Sequence, residues 1–189
     1  LFRSLIELEL PPYLAQAMHE RFGDEALVML QRRPYQLARE VRGIGFVTAD
    51  RIARGLGLAP DSPERIEAGI LHAMETAEQD GNCALPIEVL VRKAAMALGV
   101  GEDPVRDAGE RMVEAGDLLL EYGNDDTPLC FSPQLVAAEQ AVVEALATIA
   151  LAPRPHWSLV ELPPHLSAGQ VEAVRAVADH GVVILTGGP

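Results

Sequence analysis

Apolar residues recur at helical spacing through most of the chain and change to strict alternation in one short stretch. Leu14, Ala17 and Met18, then Ala26, Leu27 and Leu30, punctuated by Gly23 and Pro34, predict short helices through residues 1–58. Ser62-Pro63 opens the next helix, serine as N-cap and proline at the first helical position, with Ile66, Ile70, Ala73, Met74 and Ala77 as its stripe and Gly81 as its end. Residues 87–98 follow, with Ile87, Leu90, Val91, Ala94 and Leu98 inward, and then a helix from Pro104 to Ala115. The period then becomes two. Leu118, Leu120 and Tyr122 alternate, residues 123–126 turn, and Leu129-Cys130-Phe131 returns, which predicts a β-hairpin. Two helices followed by a hairpin give the outline of a winged helix. Ser132-Pro133 starts a long helix to about Ile149, with Leu135, Ala138, Val142, Leu146 and Ile149 on one face. Residues 151–165 hold four prolines and predict a semi-rigid linker in which Trp157 is a packing anchor. After a further helix, Val182–Thr186 predicts a short buried strand.

Composition narrows the partners. The 189 residues suffice for one large domain or two small ones, and 49% hydrophobic with 4% aromatic content describes Ala/Leu/Val-rich helical packing. A net charge of −13 excludes a generally basic nucleic-acid coat, so any DNA contact must come from a local patch. Cys83 and Cys130 lie far apart and predict buried reduced thiols. His19, His72, His156, His165 and His180 show no ligand spacing, predict surface or loop positions, and leave no metal site. No signal peptide is visible and no apolar run reaches the roughly 18 residues of a membrane span, so a cytoplasmic protein is expected. The start at Leu1 points to a truncated N-terminus.

A local patch exists. Residues 37–53 fit a helix-hairpin-helix: Leu37 and Val41 face inward from the first helix, Gly43-Ile44-Gly45 forms the hairpin, and Ala49, Ile52 and Ala53 pack the second. Glycine permits positive φ and lets backbone N–H groups approach a phosphate with no Cβ in the way. The following helix presents its N-terminus to the anion. Arg42, Gly43, Ile44, Gly45, Phe46, Thr48 and Arg51 are therefore the expected DNA-binding residues, in a sequence-independent contact with backbone phosphate. Over residues 32–54 six arginines stand against Glu40 and Asp50 alone. The competing possibility is a packing module whose arginines are solvated surface. Upstream, residues 8–18 read as a degenerate first unit with Pro11-Pro12 in place of the glycines, mainly structural because proline has no N–H to offer.

The far end carries a second signal. Val182–Thr186 runs straight into Gly187-Gly188-Pro189, which is how a phosphate-binding loop begins, although the second glycine, Lys and Ser/Thr of GxxxxGK[ST] are not in the sequence. One helix earlier, Leu166-Ser167-Ala168-Gly169-Gln170-Val171-Glu172-Ala173-Val174 looks like the Q-motif of superfamily 1 helicases, in which the glutamine amide reads the adenine edge. Ser167 and Gln170 also have capping-box spacing, and the two roles call on one side chain.

Taken in order, these segments resemble the N-terminal region of RecD-type superfamily 1 DNA helicases, in the form with an extended N-terminus that works without RecB and RecC. The fold expected is mainly α: a tandem helix-hairpin-helix at 1–58, a helical, winged-helix-like segment at 62–150, the linker at 151–165, and at 166–189 the start of an α/β P-loop, RecA-like motor domain. The resemblance implies ATP-driven 5′-to-3′ translocation on single-stranded or junction DNA in repair or recombination, with ATP and Mg²⁺ at the P-loop. Gln170, Gly187, Gly188 and Pro189 are the cofactor-binding positions it implies here, with no catalytic residue in this sequence and no ATP turnover expected of it. Residues 102–126 hold nine acidic side chains against Arg106 and Arg111, so the winged-helix-like segment should repel phosphate and dock a protein partner. Two further functions remain open: a non-catalytic helix-hairpin-helix module of a repair protein, and a protein-interaction platform.

Overall fold

The computed structural model describes residues 12–41, 43–152 and 162–186, apart from the Arg39 side chain. Contacts divide the chain into two units, Leu1–Pro133 and Gln134–Pro189.

The first unit begins with α1 (Pro12–Phe22), a single 3-10 turn, α2 (Ala26–Arg32), α3 (Pro34–Glu40) and α4 (Phe46–Gly55). Leu14, Ala15 and Met18 of α1, Ala26 and Leu30 of α2, and Leu37 of α3 are buried, as helical spacing demands. Pro12 is the first residue of α1, where its missing N–H costs nothing. The preceding residues, Pro11 among them, lie outside the described set, so only residues 12–18 of the degenerate first unit are described, as part of α1.

Next come α5 (Pro63–Gln79), β1 (Leu85–Pro86), α6 (Ile87–Leu98), α7 (Glu102–Ala115), β2 (Leu119–Tyr122) and β3 (Pro128–Phe131). The Ser62 hydroxyl accepts from the Arg65 N–H and Pro63 sits at the helix start, as the sequence indicates. The three strands form an antiparallel sheet in the order β1-β3-β2, with Leu85 opposite Cys130 and Leu120 opposite Cys130 on the other side. β1 has only two residues and no alternation of its own. It is defined by pairing with β3, which is why sequence periodicity missed it. The α5–α6 contact is close: a Cβ placed on Gly69 would lie 2.7 Å from Leu98 side-chain atoms. An exposed bidentate ion pair, Arg106 to Glu88 at 2.7 Å through both nitrogens, ties α7 to α6. One hydrophobic core runs from Leu14 to Cys130, so the described residues of the 12–58 and 62–131 segments share it.

The second unit holds α8 (Pro133–Leu151) and α9 (Ala168–Asp179). α8 groups with this unit instead of with residues 62–132, because Val142, Leu146 and Ile149 on its expected inner face are exposed. Its 19 residues, with a mean hydropathy of 1.4 and only Glu139 and Glu144 charged, are long and apolar enough to cross a membrane by length and composition, contrary to the expectation that no segment would be. Residues 182–186 are not a strand, and Ile184 (84% exposed) and Leu185 (67%) are not buried. A β-branched run needs a neighbouring strand to complete its hydrogen bonds, and none is present among the described residues of this unit. The linker prolines Pro153 and Pro155, Trp157, and Gly187-Gly188-Pro189 fall outside the described residues.

Candidate nucleic-acid interface

The hairpin between α3 and α4 is built by a tight backbone reversal. The Val41 N–H donates to the Leu37 carbonyl (2.9 Å), and the Ile44 N–H donates to the Val41 carbonyl (3.1 Å). Gly43 sits at φ +96°, a conformation that side-chain-bearing residues rarely adopt. Gly45 is the N-cap of α4 with φ −91° and ψ 171°, and it provides no side-chain cap. Its carbonyl accepts from both Thr48 and Ala49 (3.1 Å each), so Phe46 and Val47 are left as first-turn amides with no intrahelical acceptor. A Cβ on Gly45 would meet nothing within 4 Å, so the approach to these amides is open.

Not all of the expected DNA-binding residues play the same part. Gly43, Gly45 and Arg51 are exposed and Thr48 is half-buried. Ile44 and Phe46 are buried, so their side chains form the hairpin's core and are not available as contacts to a ligand. Arg42 lies outside the described residues. Gln170 is engaged in a complete capping box: its Oε1 accepts from the Ser167 N–H (2.9 Å), and the Ser167 Oγ accepts from the Gln170 N–H (3.3 Å). The carbonyl oxygen retains a second lone pair, so this cap does not exhaust the amide's capacity to bond.

Sequence reading missed the polar network behind the hairpin. Arg65 of α5 is 3% exposed, yet its guanidinium is fully employed. Nε donates to Asp50 Oδ1 (2.7 Å) and Nη2 to Asp50 Oδ2 (3.1 Å). Nη1 donates to the Pro60 carbonyl (2.6 Å), and Nη2 also donates to the Leu98 carbonyl at the end of α6 (3.0 Å). The Tyr35 hydroxyl donates to Asp50 Oδ1 at 2.7 Å. Burial alone would raise the Asp50 pKa, but the hydrogen bonds from Arg65 and Tyr35 and the guanidinium charge outweigh it and hold the carboxyl below its ordinary range. Burial, and then the hydrogen bond to Asp50, push the Tyr35 phenol well above its ordinary value. A second tie is aromatic. Phe46 stacks on Tyr35 (5.9 Å between centroids) and on His72 of α5 (4.9 Å). His72 is thus a half-buried helix residue rather than a surface or loop one. Cys83 is exposed and only Cys130 is buried, so the expectation of two buried thiols holds for one.

A groove between α3 and α5, about 610 Å³ in volume, is lined by Arg32 and Arg33 but also by Glu40, Glu64 and Glu67. That mixture of charge does not suit a phosphate backbone. No cluster of potential metal ligands occurs among the described residues.

Residues 1–84 match the family model described as the ATP-dependent RecD2 DNA helicase HHH domain. The ATP-dependent RecD2 DNA helicase of Deinococcus radiodurans is 30% identical over 195 aligned positions, which cover 93% of this chain and 27% of that relative. This chain is similar to the N-terminal region of a RecD-type helicase. It spans about a quarter of the length of the relative it matches. The matched region contains the Gly43–Gly45 hairpin and the Tyr35–Asp50–Arg65 network together.

Proposed function

We propose that residues 12–58 are the DNA-binding part of an ATP-dependent helicase, gripping the sugar-phosphate backbone without regard to sequence. The observation that carries this reading is the Gly43–Gly45 hairpin, which leaves first-turn amides of α4 unscreened beside the exposed Arg51. In the longer protein the DNA is single-stranded or at a junction with duplex, the movement is 5′ to 3′, and the setting is repair or recombination in the cytoplasm. ATP and Mg²⁺ belong to a P-loop that Gly187-Gly188-Pro189 begins, with Gln170 on the adenine. The 189 residues alone do not turn over ATP.

Residues 63–131 are winged-helix-like in this proposal. The support is the succession α5-β1-α6-α7-β2-β3 with β1 against β3, an arrangement in which the β2–β3 turn is the wing. Its α7 and wing carry the acidic side chains between Glu102 and Asp126, so it repels DNA and offers a surface to a protein partner.

Binding of the 189-residue chain to labelled oligonucleotides tests the hairpin. Gly45→Val should weaken binding while leaving the melting temperature nearly unchanged, because φ −91° suits any residue and the space around it is open. Arg51→Ala should lower the slope of log K against log salt by about 0.7–0.9, the loss of one phosphate contact. Unchanged affinity in both folded variants removes the hairpin from the DNA path.

A further inference from the structure

Two large apolar side chains flank the hairpin in an exposed position. Tyr13, on the first turn of α1, is 64% exposed, and Val47, on the first turn of α4, is 70% exposed. Tyr13 is held beside the turn: a Cβ placed on Gly43 would lie 3.6 Å from Tyr13 Cε2 and 3.5 Å from Leu14 Cδ2. Leu14 is buried and anchors this end of α1, so its neighbour Tyr13 has a fixed root and a solvent-facing ring.

Along α4 the exposed side chains follow a line. Val47, Arg51 and Arg54 are spaced i, i+4 and i+7 on one exposed face, while Phe46, Ala49 and Ala53 are buried on the other. Asp50, the acid of this helix, is turned inward to Arg65 and Tyr35, so its charge is neutralised by a partner. The face therefore starts with an apolar residue at the hairpin and continues with two guanidinium groups. An aromatic ring beside an open glycine turn, followed by spaced cations, is the combination that tracks an unpaired strand: bases stack on the ring and phosphates meet the charges. Duplex DNA keeps its bases stacked on one another and has no use for an exposed tyrosine at that point.

We propose that Tyr13 is a stacking platform for one base of single-stranded DNA, and that Val47, Arg51 and Arg54 carry the strand from the hairpin along α4. This rests on the phosphate-binding reading of the hairpin and adds to it a base-contacting side chain and the path of the strand along α4.

Fluorescence anisotropy of the 189-residue chain with labelled oligothymidylate, an abasic oligonucleotide of equal length, and the matched duplex separates the two readings. Tyr13→Ala should weaken binding of oligothymidylate by about five-fold or more, the lower end of one base–aromatic stack. Binding of the abasic strand should not change, because it offers phosphates and no base. Tyr13→Phe, which keeps the ring, should bind as the parent does. Arg54→Ala should lower the salt slope on oligothymidylate by about 0.7. Gly45→Val should weaken the normal and abasic strands alike. Equal losses on both strands for Tyr13→Ala, no loss on either, or preference of the parent for duplex overturns the stacking role. A Tyr13 effect that persists while Gly45→Val binds normally overturns the phosphate site instead. No binding to any of the three oligonucleotides overturns both.

Discussion

Arg65→Met removes the guanidinium that joins the hairpin to the helices behind it while keeping most of the side-chain volume. Four hydrogen bonds disappear, and Asp50, whose side chain is 15% exposed, is left largely buried without its counter-charge. Removing one member of a buried pair costs about 3–5 kcal/mol, and the partial exposure of Asp50 places this case near the lower end, about 3 kcal/mol. For a unit of this size that is a fall of roughly 10 °C in melting temperature. Combining Arg65→Met with Asp50→Asn should recover part of the loss, since the neutral amide still accepts from Tyr35, and the cycle should give a coupling of about 2 kcal/mol. The pH dependence is a second check. The folded-state pKa of Asp50 is depressed, so the stability it contributes is present above the unfolded carboxylate value, about 3.9, and is lost as pH falls through the lower folded value. In Arg65→Met, burial without the counter-charge shifts the Asp50 carboxyl upward. The gap between parent and variant should therefore be largest near neutrality and narrow as pH falls, without vanishing, because the lost bonds to the Pro60 and Leu98 carbonyls do not titrate. Urea titrations at pH 7, 5 and 3 measure it. A loss under about 1 kcal/mol at pH 7, or a gap that does not narrow at pH 3, refutes the assignment of Arg65–Asp50 as the tie between the two segments.

Gly69→Ala forces a methyl to 2.7 Å from Leu98 at the α5–α6 contact and should destabilise by about 1–3 kcal/mol in chemical denaturation. Gly43→Ala must hold φ +96° with a Cβ touching Leu14 and Tyr13, and should cost about 1–2 kcal/mol; Gly45→Val should cost much less, and a reversed order would contradict the backbone geometry. Gln170→Ala breaks a formed capping box and should destabilise α9 by about 1 kcal/mol, read as amide exchange in residues 168–172. On the proposed adenine role of Gln170, the same change in a chain that carries a complete P-loop should also raise the KM for ATP; a change in exchange with no change in KM leaves the cap as the sole role. Calorimetric titration of the 189-residue chain with Mg-ATP should show no heat of binding.

The helices were legible because their information is local. Leu37, Val41, Ala49, Ile52 and Ala53 all proved buried, as spacing along two short helices required, while the burial of Ile44, expected at the DNA contact, was not legible. Ser62-Pro63 marked a helix start and Gly43 a positive φ for reasons contained within a few residues. The acid-against-base count over residues 32–54 was correct as arithmetic and incomplete as physics, since it treated Asp50 as one charge among eight. Tertiary structure gives Asp50 a buried partner 15 positions away and so withdraws it from the surface.

What required the third dimension was whatever depends on a neighbour remote in sequence. β1 exists because Leu85 and Pro86 meet β3, and residues 182–186, with a far stronger strand pattern, form none because they meet no strand among the described residues. The exposure of Cys83, the stacking of His72 on Phe46, and the exposed apolar face of α8 are likewise outcomes of packing. The sequence by itself determined the helix-hairpin-helix, its glycines and its arginines, because dihedral preference and helical periodicity act over a turn or two. Tertiary structure alone decided which of those groups face water and which are consumed by a partner. Burial and charge pairing depend on distances between elements that no local pattern encodes.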